Sequence, residues 1–260
     1  MGKIIAMVNQ KGGVGKTTTS INLSASLGYL GKKTLLVDLD PQGNATTGVG
    51  IDKSELDACV YDMLVGKKSI YDVTIKTKFK NLSLLPATIN MAGIEREFLE
   101  LSKTEENFSK EGQLKKNLDL VKDKYDYIII DCPPSLGVLT TNAYVASDSV
   151  IIPVQCEFFA LEGITQLLNG IMLVQRNLNP KLDIEGVLLT MLSQTNLGLD
   201  VVEDIRGYFK ERVYDTIIPR LISLAEAPSH GQPIMIYNPR SRATEAYLNL
   251  AKEVIQRNGE

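Results

Sequence analysis

Residues 9–18 read N-Q-K-G-G-V-G-K-T-T, and the rest of the chain is arranged around this stretch. An apolar run over residues 4–8 precedes it and has the composition of a buried parallel strand. A helical pattern from Ile21 to Leu30 follows, and Gly31 ends it. In this context, glycines let backbone N–H groups turn inward, and the helix N-terminus adds positive charge. The stretch therefore predicts a nucleoside triphosphate site.

The glycine-rich loop differs from the ordinary G-x-x-x-x-G-K-[ST] pattern at its first position, where Gln10 stands. A second lysine, Lys11, lies at the entrance of the loop. Lys16 is placed to reach the β- and γ-phosphates, and the Thr17 hydroxyl is placed to bind Mg²⁺. The residues predicted to surround the phosphates of ATP are Lys11, Gly12, Gly13, Val14, Gly15, Lys16, Thr17 and Thr18.

The K-G-G-V-G-K-T sequence of residues 11–17 resembles the deviant phosphate loop of one ATPase family. That family includes partition ATPases, division-site regulators, the arsenite-pump ATPase and the nitrogenase iron protein. The resemblance implies that Lys11 reaches across a nucleotide-sandwich dimer to the phosphates of the partner subunit and is catalytic together with Lys16. The alternative is that Lys11 is a solvated loop cation, but a cation at the mouth of a triphosphate site is seldom idle.

Two carboxylate motifs follow apolar runs that read as strands. Residues 38–44 read D-L-D-P-Q-G-N, and residues 131–137 read D-C-P-P-S-L-G. Carboxylates at the carboxyl ends of parallel strands lie where α/β sheets bind their ligands. At such a position Asp131 is suited to hold Mg²⁺ directly or through water.

Both motifs resemble the switch regions of the ParA-type (Soj-like) partition ATPases. The resemblance implies that Asp40 is catalytic, orients the attacking water and joins Thr17 and Asp131 around Mg²⁺. Asp38 does not bind Mg²⁺ directly in this arrangement and instead supports the residues that do. The alternative is that Asp38 and Asp40 only cap the turn that follows.

The composition of the chain excludes several classes of protein. The chain has 260 residues with 44% apolar content, enough for one large α/β core. Its net charge of −3 excludes a protein that is basic overall, so DNA contacts require a local patch. Cys59, Cys132 and Cys156 have no C-x-x-C spacing, which predicts a reducing cytoplasm and no zinc site. No apolar run reaches 18 residues, so we expect a cytoplasmic protein without a membrane anchor.

Strand and helix patterns alternate along the chain, without a repeat or a Gly/Ser linker. They predict an α/β fold with a single doubly wound, mostly parallel sheet flanked by helices, as one ATPase domain over residues 1–260. The resemblance implies that the N-terminal DNA-reading domain of larger plasmid members is lacking. Outside the motifs, helices are predicted over residues 56–64, 91–101, 155–176, 201–210 and 242–257, and an exposed loop over residues 102–111.

The last strand pattern ends in I-P-R at residues 218–220. The resemblance implies that the adenine lies against the loop after this strand. Pro219 and Arg220 are therefore candidates to line the base, with Asn238 as a weaker candidate. His230 is interpreted as a turn residue, because phosphoryl transfer depends on positioned carboxylates and cations.

The resemblance covers essentially the whole chain and implies a Mg-ATP-dependent homodimer. Slow hydrolysis resets the dimer and is stimulated by a centromere-binding protein of the ParB/Spo0J kind. The family's work is chromosome or plasmid partition, with non-specific DNA as a further partner and a location on the nucleoid.

One alternative is a membrane-cycling division-site regulator, which needs a basic amphipathic helix. Another is an ATPase that positions a different cargo. An electron-transfer ATPase would need cysteines that bridge two subunits, and the three cysteines do not fit that pattern.

Non-specific DNA binding needs basic residues, and two that many Soj-like members carry are missing here. Residues 193–195 read S-Q-T after the strand pattern L-L-T-M-L, and residues 221–223 read L-I-S after I-P-R. Binding would then rest on other basic residues late in the chain. The candidates are Arg206, Lys210 and Arg212, predicted on one helix, and Arg240 and Arg242, predicted before the last helix.

Overall fold

A computed structural model describes residues 2–157, 162–192 and 196–259. The strands in these residues form one eight-stranded sheet. They are β1 (Lys3–Met7), β2 (Thr34–Asp38), β3 (Ile75–Lys76), β4 (Leu82–Leu85), β5 (Tyr127–Asp131), β6 (Ser149–Gln155), β7 (Asp183–Leu192) and β8 (Val213–Pro219). Their order across the sheet is β3-β4-β2-β5-β1-β6-β7-β8, and only the β3–β4 pair is antiparallel among the strands described. The predicted doubly wound, mostly parallel sheet is confirmed.

Helices cover both faces of this sheet. They are α1 (Lys16–Tyr29), α2 (Asn44–Gly48), α3 (Val60–Leu64), α4 (Ile70–Val73), α5 (Ile94–Thr104), α6 (Gln113–Leu118), α7 (Val138–Ala146), α8 (Glu162–Asn177), α9 (Asn196–Phe209), α10 (Ile222–Glu226), α11 (Ile234–Tyr237) and α12 (Arg242–Arg257). Short 3₁₀ turns lie between some of them, including Lys53–Glu55 and Lys210–Arg212.

The central strands are apolar on both faces because each face packs against its own layer of helices. Ile4 and Ile128 are partners in register and belong to one core, whereas Ile5 and Ile129 belong to the core on the opposite face. All four side chains are at most 1% exposed. Burying an isoleucine contributes about 1.5–3 kcal/mol, so this alternation fixes the register of the central strands. The register in turn brings the carboxyl ends of β1, β2 and β5 together.

The C-terminal helix α12 has the predicted bounds and is packed onto the sheet. Tyr247, Leu250 and Val254 are buried in the core that also holds α1. Glu253 accepts hydrogen bonds from the backbone N–H groups of Asp215 and Thr216 at 2.9 and 3.1 Å. The apolar face of α12 is therefore covered by protein.

Several predicted boundaries differ from the structure. Helix α5 ends at Thr104, so the predicted loop over residues 102–111 begins as helix. The basic residues Arg206, Lys210 and Arg212 do not share one helix, because α9 ends at Phe209 and a 3₁₀ turn follows. Arg242 is the first residue of α12, in agreement with the predicted bounds of that helix, so of Arg240 and Arg242 only Arg240 precedes it. Residues 158–161, within a predicted helix, and residues 193–195 lie outside the described residues.

Candidate nucleotide-binding site

The phosphate loop connects β1 to α1 and is shaped by two glycines. Gly13 and Gly15 have φ angles of +74° and +90°, which only glycine adopts without strain. Neighbouring strands hold the loop in place. The Thr190 hydroxyl donates to the carbonyl of Val14 at 2.9 Å, and the Asn9 amide donates to the carbonyl of Pro153 at 2.8 Å. The loop is thus a preformed concave surface at the N-terminus of α1.

Lys16 points into this loop from the first turn of α1. Its ammonium donates to the carbonyl of Lys11 at 3.1 Å, and the residue is only 6% exposed. Burial lowers the pKa of Lys16, and the negative charge of Asp131 partly opposes that effect. An anion in the loop would restore the solvation that this ammonium has lost.

Asp38 and Asp131 form the carboxylate pair at the strand ends. They are register partners of β2 and β5, and both are fully buried. Burial, followed by the nearby charge of Asp38, raises the pKa of Asp131 to about 8, although hydrogen bonding from Thr17 and Ser20 lowers it. Burial raises the pKa of Asp38 to about 6. Two buried acids on neighbouring strands favour a cation between themselves and the loop.

The residues present fit a magnesium ion that arrives with its nucleotide. Asp131 Oδ2 is buried and has no hydrogen-bond partner among the described residues, whereas Oδ1 accepts from the Ser20 hydroxyl at 2.9 Å. No cluster of three or more His, Cys, Asp or Glu side chains suited to a metal occurs in the described ranges. Mg²⁺ commonly takes one or two protein ligands and completes its shell with water and phosphate oxygens. Thr17 and Asp131 would hold it here, and when bound it neutralises phosphate charge.

Asp38 and Asp40 differ in their surroundings. Asp38 Oδ2 accepts the backbone N–H and the hydroxyl of Thr46, each at 2.8 Å, which fixes the start of α2. Asp38 therefore holds the loop between β2 and α2 in place through these hydrogen bonds. Asp40 is half-buried, and its Oδ1 accepts the N–H of Gln42 at 2.9 Å. Asp40 is therefore more accessible to solvent than Asp38 and Asp131, which are both 0% exposed.

A cavity of about 350 Å³ continues from the phosphate loop. Pro219 and Arg220, the two residues predicted to line the base, are among its lining residues. Asn238 is not among its lining residues. It is exposed, and its carbonyl accepts the Thr244 hydroxyl at 2.8 Å in the turn before α12. The volume lies within the usual range for small-ligand sites.

Met191 and Tyr247 are among the residues that line this cavity and were not predicted from the sequence. Met191, at the end of β7, has a φ angle of +54°, and a register shift between β7 and β8 lies beside it. Tyr247 approaches from α12, and its hydroxyl lies 3.4 Å from that of Thr19. The signal for Met191 was its place at the end of a buried strand, where ligand-contacting residues are common.

Lys11 lies at the mouth of the phosphate loop with a side chain that is 44% exposed. Its ammonium is 3.5 Å from Glu157, whose side chain is 50% exposed. An ion pair between two exposed side chains contributes about 0–1 kcal/mol. The Lys11 side chain is therefore held only weakly and is free to exchange partners.

The structure does not gather the five candidate DNA residues into one patch. Arg212 donates to Asp183 Oδ1 at 3.0 Å and to the carbonyl of Ile184 at 3.1 Å, so two contacts orient its exposed guanidinium. Arg206 and Lys210 line a shallow groove that also contains acidic residues. Arg240 is exposed, and Arg242 lines a separate groove.

The order of elements and the site together define a class of protein. A glycine-rich loop between β1 and α1, a buried lysine and strand-end carboxylates are the parts of a P-loop nucleoside triphosphatase. Among the described residues, no helix has the length and apolar character needed to cross a membrane.

Comparisons with known proteins identify the family. A family model described as "AAA domain" matches residues 2–184. The chain is 60% identical to the sporulation initiation inhibitor protein Soj of Bacillus subtilis, with 98% of each chain covered. It is 48% identical to the chromosome-partitioning ATPase Soj of Treponema pallidum, with 100% of each covered. The chain belongs to the Soj/ParA family of chromosome-partitioning ATPases, and it is an ATPase.

A solved structure agrees on the cofactors. The fold matches cobyrinic acid a,c-diamide synthase from Mycobacterium smegmatis, solved with a bound ATP analog and magnesium, at a TM-score of 0.87 and 35% identity. The match covers 100% of this chain and 96% of that one. ATP and Mg²⁺, predicted from the phosphate loop and Asp131, are confirmed as the cofactors.

Proposed function

We propose that this ATPase is a partition switch driven by a nucleotide-dependent dimer. It binds Mg-ATP, forms a homodimer with two nucleotides at the interface, and binds DNA without sequence specificity. Slow hydrolysis returns it to monomers, and a centromere-binding protein of the ParB/Spo0J kind accelerates that step. The observation that carries the proposal is the position of Lys11, exposed at the mouth of the phosphate loop and paired only with Glu157 among the described residues.

The weak Lys11–Glu157 contact supports a role for Lys11 across the interface. Lys16 already supplies the buried cation of its own loop. A second lysine at the mouth gains a charge-assisted hydrogen bond only when another phosphate group lies opposite. In a face-to-face dimer, the nucleotide of the partner subunit provides that group. Dimer formation then depends on ATP because both partners contribute to one charge cluster.

Asp40 is the candidate for orienting the attacking water. It is the half-buried member of the carboxylate group, whereas Asp38 and Asp131 are enclosed. Its loop is fixed by backbone hydrogen bonds, so the carboxylate keeps one direction. A positioned carboxylate can accept a proton from water while Lys11 and Lys16 stabilise charge on the transferred phosphoryl group.

DNA binding would use a basic surface on a protein that is acidic overall. The chain carries a net charge of −3, and Arg212 lies 3.0 Å from the carboxylate of Asp183. Dimerisation doubles any basic surface, which makes binding to DNA depend on ATP. An ATPase that positions another cargo is the alternative, and absence of DNA binding in every nucleotide state would favour it. A membrane-cycling division regulator is disfavoured because Tyr247, Leu250 and Val254 of α12 are buried.

The proposal is tested by measuring the mass of the parent protein with light scattering after size-exclusion chromatography. We expect a dimer with Mg-ATP and a monomer with ADP or without nucleotide. Non-specific duplex DNA is then added to each state, and only the ATP state should bind it. Lys116→Ala, an exposed site on α6, is the control and should behave as the parent. A protein that stays monomeric with ATP would refute the proposal.

A further inference from the structure

The loop that carries Asp40 is closed by its own backbone. The N–H of Gln42 donates to Asp40 Oδ1 at 2.9 Å, and the N–H of Gly43 donates to the Asp40 carbonyl at 2.8 Å. The direction of the carboxylate therefore depends on how the peptide groups on either side of Gln42 are oriented. A group that fixes those peptides also fixes Asp40.

Lys53 makes that contact from eleven residues further along the chain. Its ammonium donates to the carbonyl of Gln42 at 2.6 Å. Hydrogen bonds from a charged donor are shorter and stronger than those between neutral groups. Lys53 forms no ion pair with a carboxylate in the part of the chain that the structure describes. Its ammonium group is therefore engaged by the carbonyl of Gln42.

The stem of Lys53 also packs against the loop. Gly43 has a φ angle of +61°, and a Cβ placed there would lie 2.7 Å from Lys53 Cδ and 2.8 Å from the carbonyl oxygen of Ala87. A side chain at residue 43 would therefore displace the lysine. Gly43 permits both the turn and the close approach of Lys53.

The backbone at Lys53 is also held in place. It begins the 3₁₀ turn Lys53–Glu55, which Asp52 caps by accepting the N–H and the hydroxyl of Ser54 at 2.9 and 2.7 Å. These hydrogen bonds lower the pKa of Asp52, so the cap stays ionised. A capped turn holds the start of the Lys53 side chain at a constant distance from the Asp40 loop.

We propose that Lys53 is a positioning residue for ATP hydrolysis, which holds the Asp40 loop in its reactive orientation through the carbonyl of Gln42. The inference rests on the proposed role of Asp40. Among the described residues, Lys53 does not line the cavity, and its ammonium bonds to the Asp40 loop, so its loss should change the rate of hydrolysis and leave nucleotide binding intact.

The test compares Lys53→Met, which keeps the stem and removes the charge, with Lys53→Arg and the control Lys116→Met. Lys53→Met should lower kcat about tenfold, because small misplacement of a catalytic group slows the reaction steeply. Its KM and its affinity for a fluorescent ATP analogue should stay within about twofold of the parent. Lys53→Arg should recover most of the rate because a guanidinium can donate to the same carbonyl.

A second readout needs no nucleotide. In Lys53→Met, the amides of Gln42 and Gly43 should exchange with deuterium about tenfold faster than in the parent, since their hydrogen bonds open more often. The unfolding temperature should stay within about 2 °C, as for other exposed sites. A variant that unfolds, loses ATP affinity or hydrolyses at the parental rate would overturn the proposal.

Asp40→Ala separates this inference from the proposed function. In that background, Lys53→Met should cause no further loss of rate, because both changes disable the same step, the positioning of the attacking water by Asp40. If Asp40→Ala hydrolyses ATP normally, the role of Asp40 is wrong. If Asp40→Ala is inactive and Lys53→Met is fully active, only the role of Lys53 is wrong.

Discussion

Asp38 and Asp131 lie opposite each other at the carboxyl ends of β2 and β5, and neither is exposed to solvent. Burial raises the pKa of both, to about 6 and about 8, and the charge of Asp38 adds to the effect at Asp131. Without nucleotide the protein therefore retains a proton on this pair of acids near neutral pH. Mg²⁺ bound with ATP would replace that proton, which links nucleotide binding to pH and to stability.

Asp131→Asn should raise the unfolding temperature of the nucleotide-free protein near neutral pH. Native Asp131 keeps its proton up to about pH 8, whereas the unfolded residue ionises near 3.8. The native state binds more protons between these values, so stability falls as pH rises through this window. Asparagine removes that dependence, and each kcal/mol gained raises the midpoint by about 2–4 °C.

Thermal unfolding across this pH range checks the prediction, with the exposed Asp123→Asn as the matched control. The gain should be largest at the alkaline end. A variant that is less stable than the parent at every pH would show that Asp131 contributes to the fold as a charged group.

The two loop lysines should fail in different ways. Lys16→Ala removes the buried cation that points into the phosphate loop, so ATP binding should be lost. Lys11→Ala leaves that cation in place, so ATP should bind within a few-fold of the parent while the dimer does not form. Fluorescence titration with an ATP analogue and light scattering measure the two properties. Equal loss of affinity in both variants would contradict the division of roles.

Asp40→Ala should bind ATP and accumulate as a dimer. Loss of a well-placed catalytic group lowers the rate by about 10²–10⁴. Because reset to monomers requires hydrolysis, the dimer should persist on a size-exclusion column long after the parent has dissociated. Normal turnover in this variant would remove Asp40 from the mechanism.

DNA binding should depend more on Arg206 and Lys210 than on Arg212. All three side chains are exposed, but the Arg212 guanidinium also donates to Asp183 at 3.0 Å and to the carbonyl of Ile184. The double change to Gln should weaken ATP-dependent binding and reduce the salt dependence by about 0.9 in log–log slope for each DNA phosphate that is no longer neutralised. Arg212→Gln is the matched control. Filter binding at several salt concentrations measures these differences. If the double variant binds DNA as the parent does, the DNA-binding patch lies elsewhere.

The site could be predicted from the sequence where its residues are close along the chain. The phosphate loop, the D-x-D motif and Asp131 each follow an apolar strand, and the carboxyl ends of parallel strands meet at one edge. The bounds of α12 were also predicted, because Ser241 caps its start and the apolar spacing is regular.

Other features depend on contacts between distant segments. Met191 lines the cavity beside a register shift between β7 and β8, and no local pattern specifies that shift. Lys53 reaches Gln42 through a turn whose direction depends on tertiary packing. The separation of Arg206 from Arg212 also escaped prediction, since helix ends are the least regular part of a periodic pattern.

The central claim is that Lys11 acts on the nucleotide of the partner subunit, and the ATPase rate of mixed variants tests it most directly. Lys11→Ala and Asp40→Ala are each expected to be inactive alone and are mixed in equal amounts before ATP is added. If Lys11 acts across the interface, each mixed dimer contains one complete site. The mixture should then hydrolyse ATP well above the rate of either component and at up to about half of the parental rate, since one of the two sites in each mixed dimer works. A mixture as inactive as its components would contradict the account.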